Sequence, residues 1–264
     1  MSWIPSYKKP GDDDELKIVT WSDGTDEQIV TMVQAHYDGL LDLHDYWAVG
    51  DERVVSLSAM SATGVGESHV AQDITMVLMH VGGKELVEPI GDITECAFIV
   101  GQKKSFANGT SYETGYMNST ATNQGSWDGC ARRTWCNNVY YNAIPATLRG
   151  IFKQHKNLTD GTDSSSWFIN PVISNDYFAL PAEREVFGRN QYARSSVEES
   201  LVWFEYYKTS SNRIKWDGEG DGQWWERSPC QDYYDRFCAV IGSGANPDYN
   251  SARYSKIIAP FGVI

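Results

Sequence analysis

Trp224-Trp225-Glu226-Arg227-Ser228-Pro229, then CQDYYDRFCAVIGSGANPDYNSARYSK over 230–256, then Ala259-Pro260-Phe261-Gly262-Val263-Ile264: the reading of this stretch decides the fold. Two rigid aromatic blocks flank a segment where Asp, Tyr, Asn, Ser and Arg crowd around a sparse apolar frame of Phe237, Val240 and Ile241. Paratopes use the same palette. Tyrosine gives wide amphipathic contact at low entropy cost, and Asn and Ser give adaptable hydrogen bonds. The expectation is a binding surface on a fixed scaffold. Trp224, Trp225, Arg227, Phe237, Pro260 and Phe261 form the scaffold; Asp232, Tyr233, Tyr234, Asp235, Arg236, Asn246, Asp248, Tyr249, Asn250, Arg253 and Tyr254 meet the ligand. Five tyrosines, these four and Tyr207 upstream, exceed what a solvated loop usually carries.

The whole chain, 264 residues, is long enough for one large domain or two small ones. A net charge of −13 argues against nucleic acid and anionic membrane as partners, because phosphate binding needs clustered Lys and Arg. Met1–Lys17 lacks a basic segment followed by an apolar run, and no 18-residue apolar stretch occurs, so the expectation is synthesis in a cytosol without membrane insertion. Five cysteines, Cys96, Cys130, Cys136, Cys230 and Cys238, suit buried free thiols better than a disulfide framework, with a Cys230–Cys238 bridge as the alternative.

In chain order, residues 1–20 carry Pro5, Pro10, Gly11 and the acidic run Asp12–Glu15, and read as an arm that docks or moves. Residues 21–264 read as one domain. Ile29, Val33, Tyr37, Leu40 and Leu41 recur at helical spacing, predicting a helix over 26–43. Strands are predicted at Val54–Leu57, Ile74–Val81 and Ala97–Val100. His69 and His80 lie far from other ligand-type residues and suggest packing rather than zinc. Residues 101–127 read as a long ordered loop. Asp128 caps a helix over 129–144, and Pro145 opens a second, ATLRGIFKQH. NLTDGTDSSS reads as a polar loop, Asp176–Leu180 as a strand, Pro181–Gly188 as a short helix and 197–207 as a mixed segment. Asp217-Gly218-Glu219-Gly220-Asp221-Gly222 begins like a calcium loop but has Ser228 at the twelfth position, so an acidic turn is the better reading. The sequons at Asn108, Asn118 and Asn157 carry little weight without a secretory route. No metal, cofactor or catalytic constellation is expected.

Four blocks in order resemble a large bacterial and phage domain family. Trp127-Asp128-Gly129-Cys130-Ala131-Arg132-Arg133-Thr134-Trp135-Cys136-Asn137 resembles its W-x-x-S-x-x-R-x-W-L-N signature. Asp176–Gly188 resembles its F-L-L-S-x-x-E-V block, Trp224–Pro229 its W-W-L-R-S-P block, and Gly244 with Ala259-Pro260-Phe261 its closing G…G-V-R-P-A. The resemblance covers about 47–264. It implies an α+β, C-type lectin-like fold with a mixed or antiparallel sheet, flanking helices and long loops. The branch is the one shared with formylglycine-generating enzymes and the variable proteins of diversity-generating retroelements. In those proteins a reverse transcriptase rewrites codons near the C-terminus, and 231–257 is similar in place and palette. Ile257-Ile258-Ala259-Pro260 lacks the family's closing arginine, whereas Arg227 remains, with a structural role against a core carboxylate or carbonyls.

The function that the resemblance implies is non-enzymatic. The chain would be a ligand- or receptor-binding variable protein of a phage tail or a bacterial cell surface, presenting a hypervariable C-terminal region to a host protein or glycan. The N-terminal region would dock to a virion or surface assembly, as a monomer or a trimer. Two alternatives stand beside it: a copper or thiol oxidoreductase of the formylglycine-generating type built on Cys230 and Cys238, and a structural virion protein whose tail merely packs.

Overall fold

The computed structural model describes residues 7–8, 15–66, 68–106, 115–161, 170–216 and 222–264. Most of the expected arm, the sequon at Asn108 and the acidic turn Asp217–Asp221 lie outside these residues. The fold is mixed α+β, and its named strands pair antiparallel throughout.

After a short pair, β1 (Tyr7–Lys8) and β2 (Glu15–Leu16), the chain enters α1 (Asp26–Tyr37). Thr25 Oγ1 accepts from the Gln28 N–H at 3.3 Å while Gln28 Oε1 accepts from the Thr25 N–H at 2.9 Å, a reciprocal cap. The helix stops at Tyr37 rather than the expected Leu43. Asp38 N–H bonds back to Gln34 O, and Gly39 takes a φ of 72°, which costs a residue without Cβ nothing. Ile29, Met32 and Val33 point into the core.

The strands β3 (Glu52–Leu57), β4 (Gln72–Val81), β5 (Glu85–Ile90), β6 (Ile93–Glu95) and β7 (Phe98–Gln102) follow. Next comes a helical run: α2 (Ala131–Trp135), a π turn (Cys136–Tyr140), α3 (Tyr141–Ala143) and α4 (Ala146–Arg149). The helix expected over ATLRGIFKQH ends at Arg149. Beyond it Lys153 N–H bonds to Val263 O, and His155 already begins a strand.

Then come β8 (His155–Asp160), β9 (Pro171–Asp176), β10 (Phe178–Ala179), α5 (Glu183–Phe187) and α6 (Ser195–Glu198). Two expectations are corrected here. NLTDGTDSSS starts as strand β8, not loop, and Asp176–Leu180 is split between the end of β9 and β10. The helix α5 ends as expected at Gly188, whose φ is 68° and where a Cβ would sit 2.6 Å from the Trp203 ring.

The tail supplies β11 (Trp224–Pro229), β12 (Arg236–Val240), β13 (Pro247–Ser251) and β14 (Phe261–Val263). The main sheet runs β10-β14-β7-β4-β3, a second β6-β5-β8-β9, and a third β11-β12-β13. Thus the C-terminal strand β14 sits inside the main sheet, between β10 and β7, and anchors the C-terminal end of the tail segment. The core holds Trp21 against Trp47 at 5.2 Å, and Phe178 against Tyr140 and Phe152 at 5.0 and 4.7 Å. His69 stacks on Phe106 at 4.8 Å and His80 on Phe204 at 6.1 Å, both packing roles. Asn118 and Asn157, from the other two sequons, are buried.

Candidate ligand-binding face at the C-terminal sheet

Every residue of β11 is buried. Trp224 Nε1 donates to Arg213 O and Trp225 Nε1 to Gly115 O, each at 2.8 Å, so both indoles satisfy their one donor inside the core. Phe237, Ala239 and Val240 of β12, and Ile257 to Phe261 beyond β13, are buried as well. Pro260 and Phe261 therefore belong to the interior, as do Trp224, Trp225 and Arg227.

The contact candidates lie on the other side of this division. Asp232, Tyr233, Tyr234, Asn246, Arg253 and Tyr254 are exposed; Asp235, Arg236, Asp248, Tyr249 and Asn250 are half-buried. Tyr234 and Tyr254 are the most open of the tyrosines, at 68% and 59%. Tyr207 is a correction: it is fully buried and packs 5.8 Å from Trp224, so it contributes to the scaffold.

Register explains how the face assembles. Cys238 pairs with Tyr249 and Arg236 with Ser251, which makes Arg236 and Tyr249 diagonal neighbours on one face. The Arg236 guanidinium lies 4.1 Å over the Tyr233 ring and 5.1 Å over Tyr249, and these two rings stack at 5.1 Å. Asp235 stands 3.6 Å from Arg236 Nε. A hydrogen bond to Tyr233 raises the Tyr249 hydroxyl above the usual phenol range.

Two residues that sequence reasoning missed hold this face in place. Asn123 is buried in the long loop before α2. Its Nδ2 donates to Tyr233 O at 2.6 Å and Arg236 O at 2.8 Å, and its N–H donates to Tyr234 O at 2.8 Å. Tyr192 meets Tyr249 edge-on at 4.7 Å, and its carbonyl accepts the Gln231 N–H at 2.9 Å. The Tyr192 loop is itself fixed by Glu183, whose carboxylate accepts from the Tyr192 and Ala193 amides. No local pattern signals either role, because each acts on main-chain atoms or rings tens of residues away.

Beneath the face runs a continuous polar line. Arg133 Nε donates to Asp176 Oδ1 at 2.6 Å, Asn157 Nδ2 to Asp176 Oδ2 at 3.0 Å, and Lys84 Nζ to Asn157 Oδ1 at 3.0 Å. Lys84 also pairs with Glu185, which Arg227 grips with both terminal nitrogens. Arg227 Nη1 reaches Leu180 O at 3.0 Å too. Burial would raise Glu185, but Arg227 and Lys84 outweigh it and hold it down to about 2. Burial would likewise raise Asp176, yet Arg133 and the hydrogen bonds from Ser174 and Trp127 hold it below its ordinary value. The family-like block is explained at this point: Trp127, Arg133 and Asn137 all converge on Asp176.

A second buried group behaves oppositely. Burial pushes Glu198 up to about 8, and burial with neighbouring carboxylates pushes Glu226 well above the carboxylate range. Neither Glu226 oxygen finds a hydrogen-bond partner among the described residues. All five cysteines are free and buried. Burial raises Cys230 to about 11 and Cys238 well above the usual thiol value. Among the described residues no group of three His, Cys, Asp or Glu side chains could hold a metal ion, and no helix is long and apolar enough to cross a membrane.

Comparison with known families finds one match: the model of a domain of unknown function (DUF6273) covers residues 98–261, more than half of the chain. No curated protein and no solved structure matches.

Proposed function

The chain belongs to the DUF6273 family, and from that premise we propose that it is a non-enzymatic binding protein whose tail, 231–257, presents variable side chains on a C-type lectin-like scaffold. One observation carries the reading: the scaffold holds the exposed turn through its main chain and leaves the side chains of Asp232, Tyr234, Arg253 and Tyr254 exposed. Asn123 binds three carbonyls of 233–236, Cys230 N–H bonds to Arg236 O, and Ala252 N–H bonds to Asp235 O. Such bonds survive a change of side chain. The fully buried anchors Trp224, Trp225, Phe237 and Phe261 then bear the stability while Asp232, Tyr233, Tyr234, Arg253 and Tyr254 are available for contact. Rigid support also lowers the ordering cost of binding.

The diversified palette, a retroelement origin and a place on a phage tail or cell surface go with this proposal, as does a protein or glycan receptor as partner. The oxidoreductase alternative is less well supported, since both thiols it needs are buried and held protonated by their surroundings. The test is codon-resolved sequencing of this gene across the population that carries it. Non-synonymous changes should pile up within 231–257 while Trp224, Trp225, Phe237 and Pro260 stay fixed. A tail as invariant as the rest of the chain sinks the diversified-binder reading.

A further inference from the structure

We infer that a second, separate ligand site lies in the cleft between the helical run α2–α3 and strand β9, and that it takes a neutral sugar ring. The cleft has a volume of about 230 Å³ and is lined by Arg133, Asn137, Asn138, Gln154, Asn175 and Tyr177, among others.

Its floor is rigid and already satisfied. Asn137 Oδ1 accepts from the Tyr177 N–H at 2.6 Å, while its Nδ2 donates to Asp176 Oδ1 and to Phe178 O. Arg133 is paired with Asp176 at 2.6 Å and with Asp128 at 3.1 Å, so its charge is offset and the cleft presents no free cation to an anion.

The rim is the opposite. The side-chain amides of Asn138, Gln154 and Asn175 make no hydrogen bond among the described residues. Each amide donates and accepts at once, which matches hydroxyl groups, themselves both donors and acceptors. Tyr177 stacks on Tyr141 at 4.3 Å and 13°, which fixes an aromatic surface beside these amides. A few placed polar groups next to an aromatic wall on a preformed base is the usual make-up of a small-molecule site. The volume is below the ~300 Å³ at which drug-sized pockets begin, and so suits a single ring.

The test is saturation-transfer and heteronuclear NMR on the intact chain with the methyl pyranosides of glucose, galactose, mannose and N-acetylglucosamine, and glucuronate as the charged control. At least one neutral pyranoside should receive saturation, shift the backbone amides of Asn138, Asn175 and Tyr177, and bind at roughly millimolar strength, as an open one-ring site allows. Asn138→Leu and Gln154→Leu, neither of which breaks an internal bond, should each weaken it at least fivefold, and together beyond detection. Absence of transfer from all four sugars, shifts located elsewhere, or affinity unchanged in the double variant would overturn the assignment. Because the lining includes no residue of 231–257, sequence invariance of the tail leaves this result untouched.

Discussion

Arg227 grips Glu185 with both terminal guanidinium nitrogens, and neither side chain reaches solvent. Removing one member strands a buried charge, a loss usually of about 3–5 kcal/mol. Arg227→Met should therefore lower the unfolding free energy by about that amount in urea titrations at pH 7. Arg227→Lys should lose much of it too, since an ammonium cannot reproduce the two-pronged contact and the bond to Leu180 O. Glu185→Gln should cost at least as much, because it leaves both Arg227 and Lys84 buried without their counter-charge, whereas Arg227→Met leaves Glu185 paired with Lys84.

The raised carboxyls set a pH dependence with a definite sign. Burial pushes Glu198 up to about 8 and, with neighbouring carboxylates, raises Glu226 well above its ordinary value, so each keeps its proton in the folded protein to a higher pH than in the unfolded chain, where it is released near 4.5. Their burial is thus tolerated in full below about pH 4.5, and stability is lost as pH rises above it, for Glu198 up to about 8, by up to ~1.4 kcal/mol per unit. Glu185 acts in the other direction, contributing above pH 4.5 and losing its effect as pH falls through about 2. Thermal melts should therefore peak in mildly acid buffer. Glu198→Gln and Glu226→Gln should raise the melting temperature at pH 8 and leave it nearly unchanged at pH 4.5; equal effects at both pH values would refute the assignment.

How much of this was legible before the structure depended on whether residues act locally. The stop at Gly188 and the apolar runs in β4 and β7 declare themselves within a few positions. The block Trp127, Arg133 and Asn137 was visible as a motif, yet its shared target, Asp176, lies 39 to 49 positions away. The loop expected from Asn157 on is strand β8: Asn157, Thr159 and Asp160 are buried polar residues, which erases the apolar alternation that marks a strand. The exposed palette of the tail was legible from composition, but the partner that positions it, Asn123, was not, because its bonds go to main-chain oxygens.

Those bonds make Asn123 a local clamp. Asn123→Ala should expose the carbonyls of Tyr233 and Arg236 and destabilise the turn by about 1–3 kcal/mol. Hydrogen exchange should show the loss concentrated in the Cys230 and Ala252 amides, which hold the same turn, while β4 and β7 amides keep their protection. Asn123→Asp should be worse, because it trades a donor for a negative charge facing carbonyl oxygens.

The sharpest contrast is between neighbours in one segment. Tyr234 and Tyr254 are largely exposed, and Arg253 is exposed between buried Ala252 and open Tyr254. Replacing all three by Ser should shift stability by no more than ~0.5 kcal/mol per site, as for surface positions without a partner. Phe237, fully buried between these exposed stretches, should cost about 3–5 kcal/mol when truncated to Ala. Denaturant melts of the two variants measure the difference directly. If the triple Ser variant unfolds as readily as Phe237→Ala, the tail's side chains are part of the core's support and could not vary freely, and the proposed division between scaffold and contact face fails.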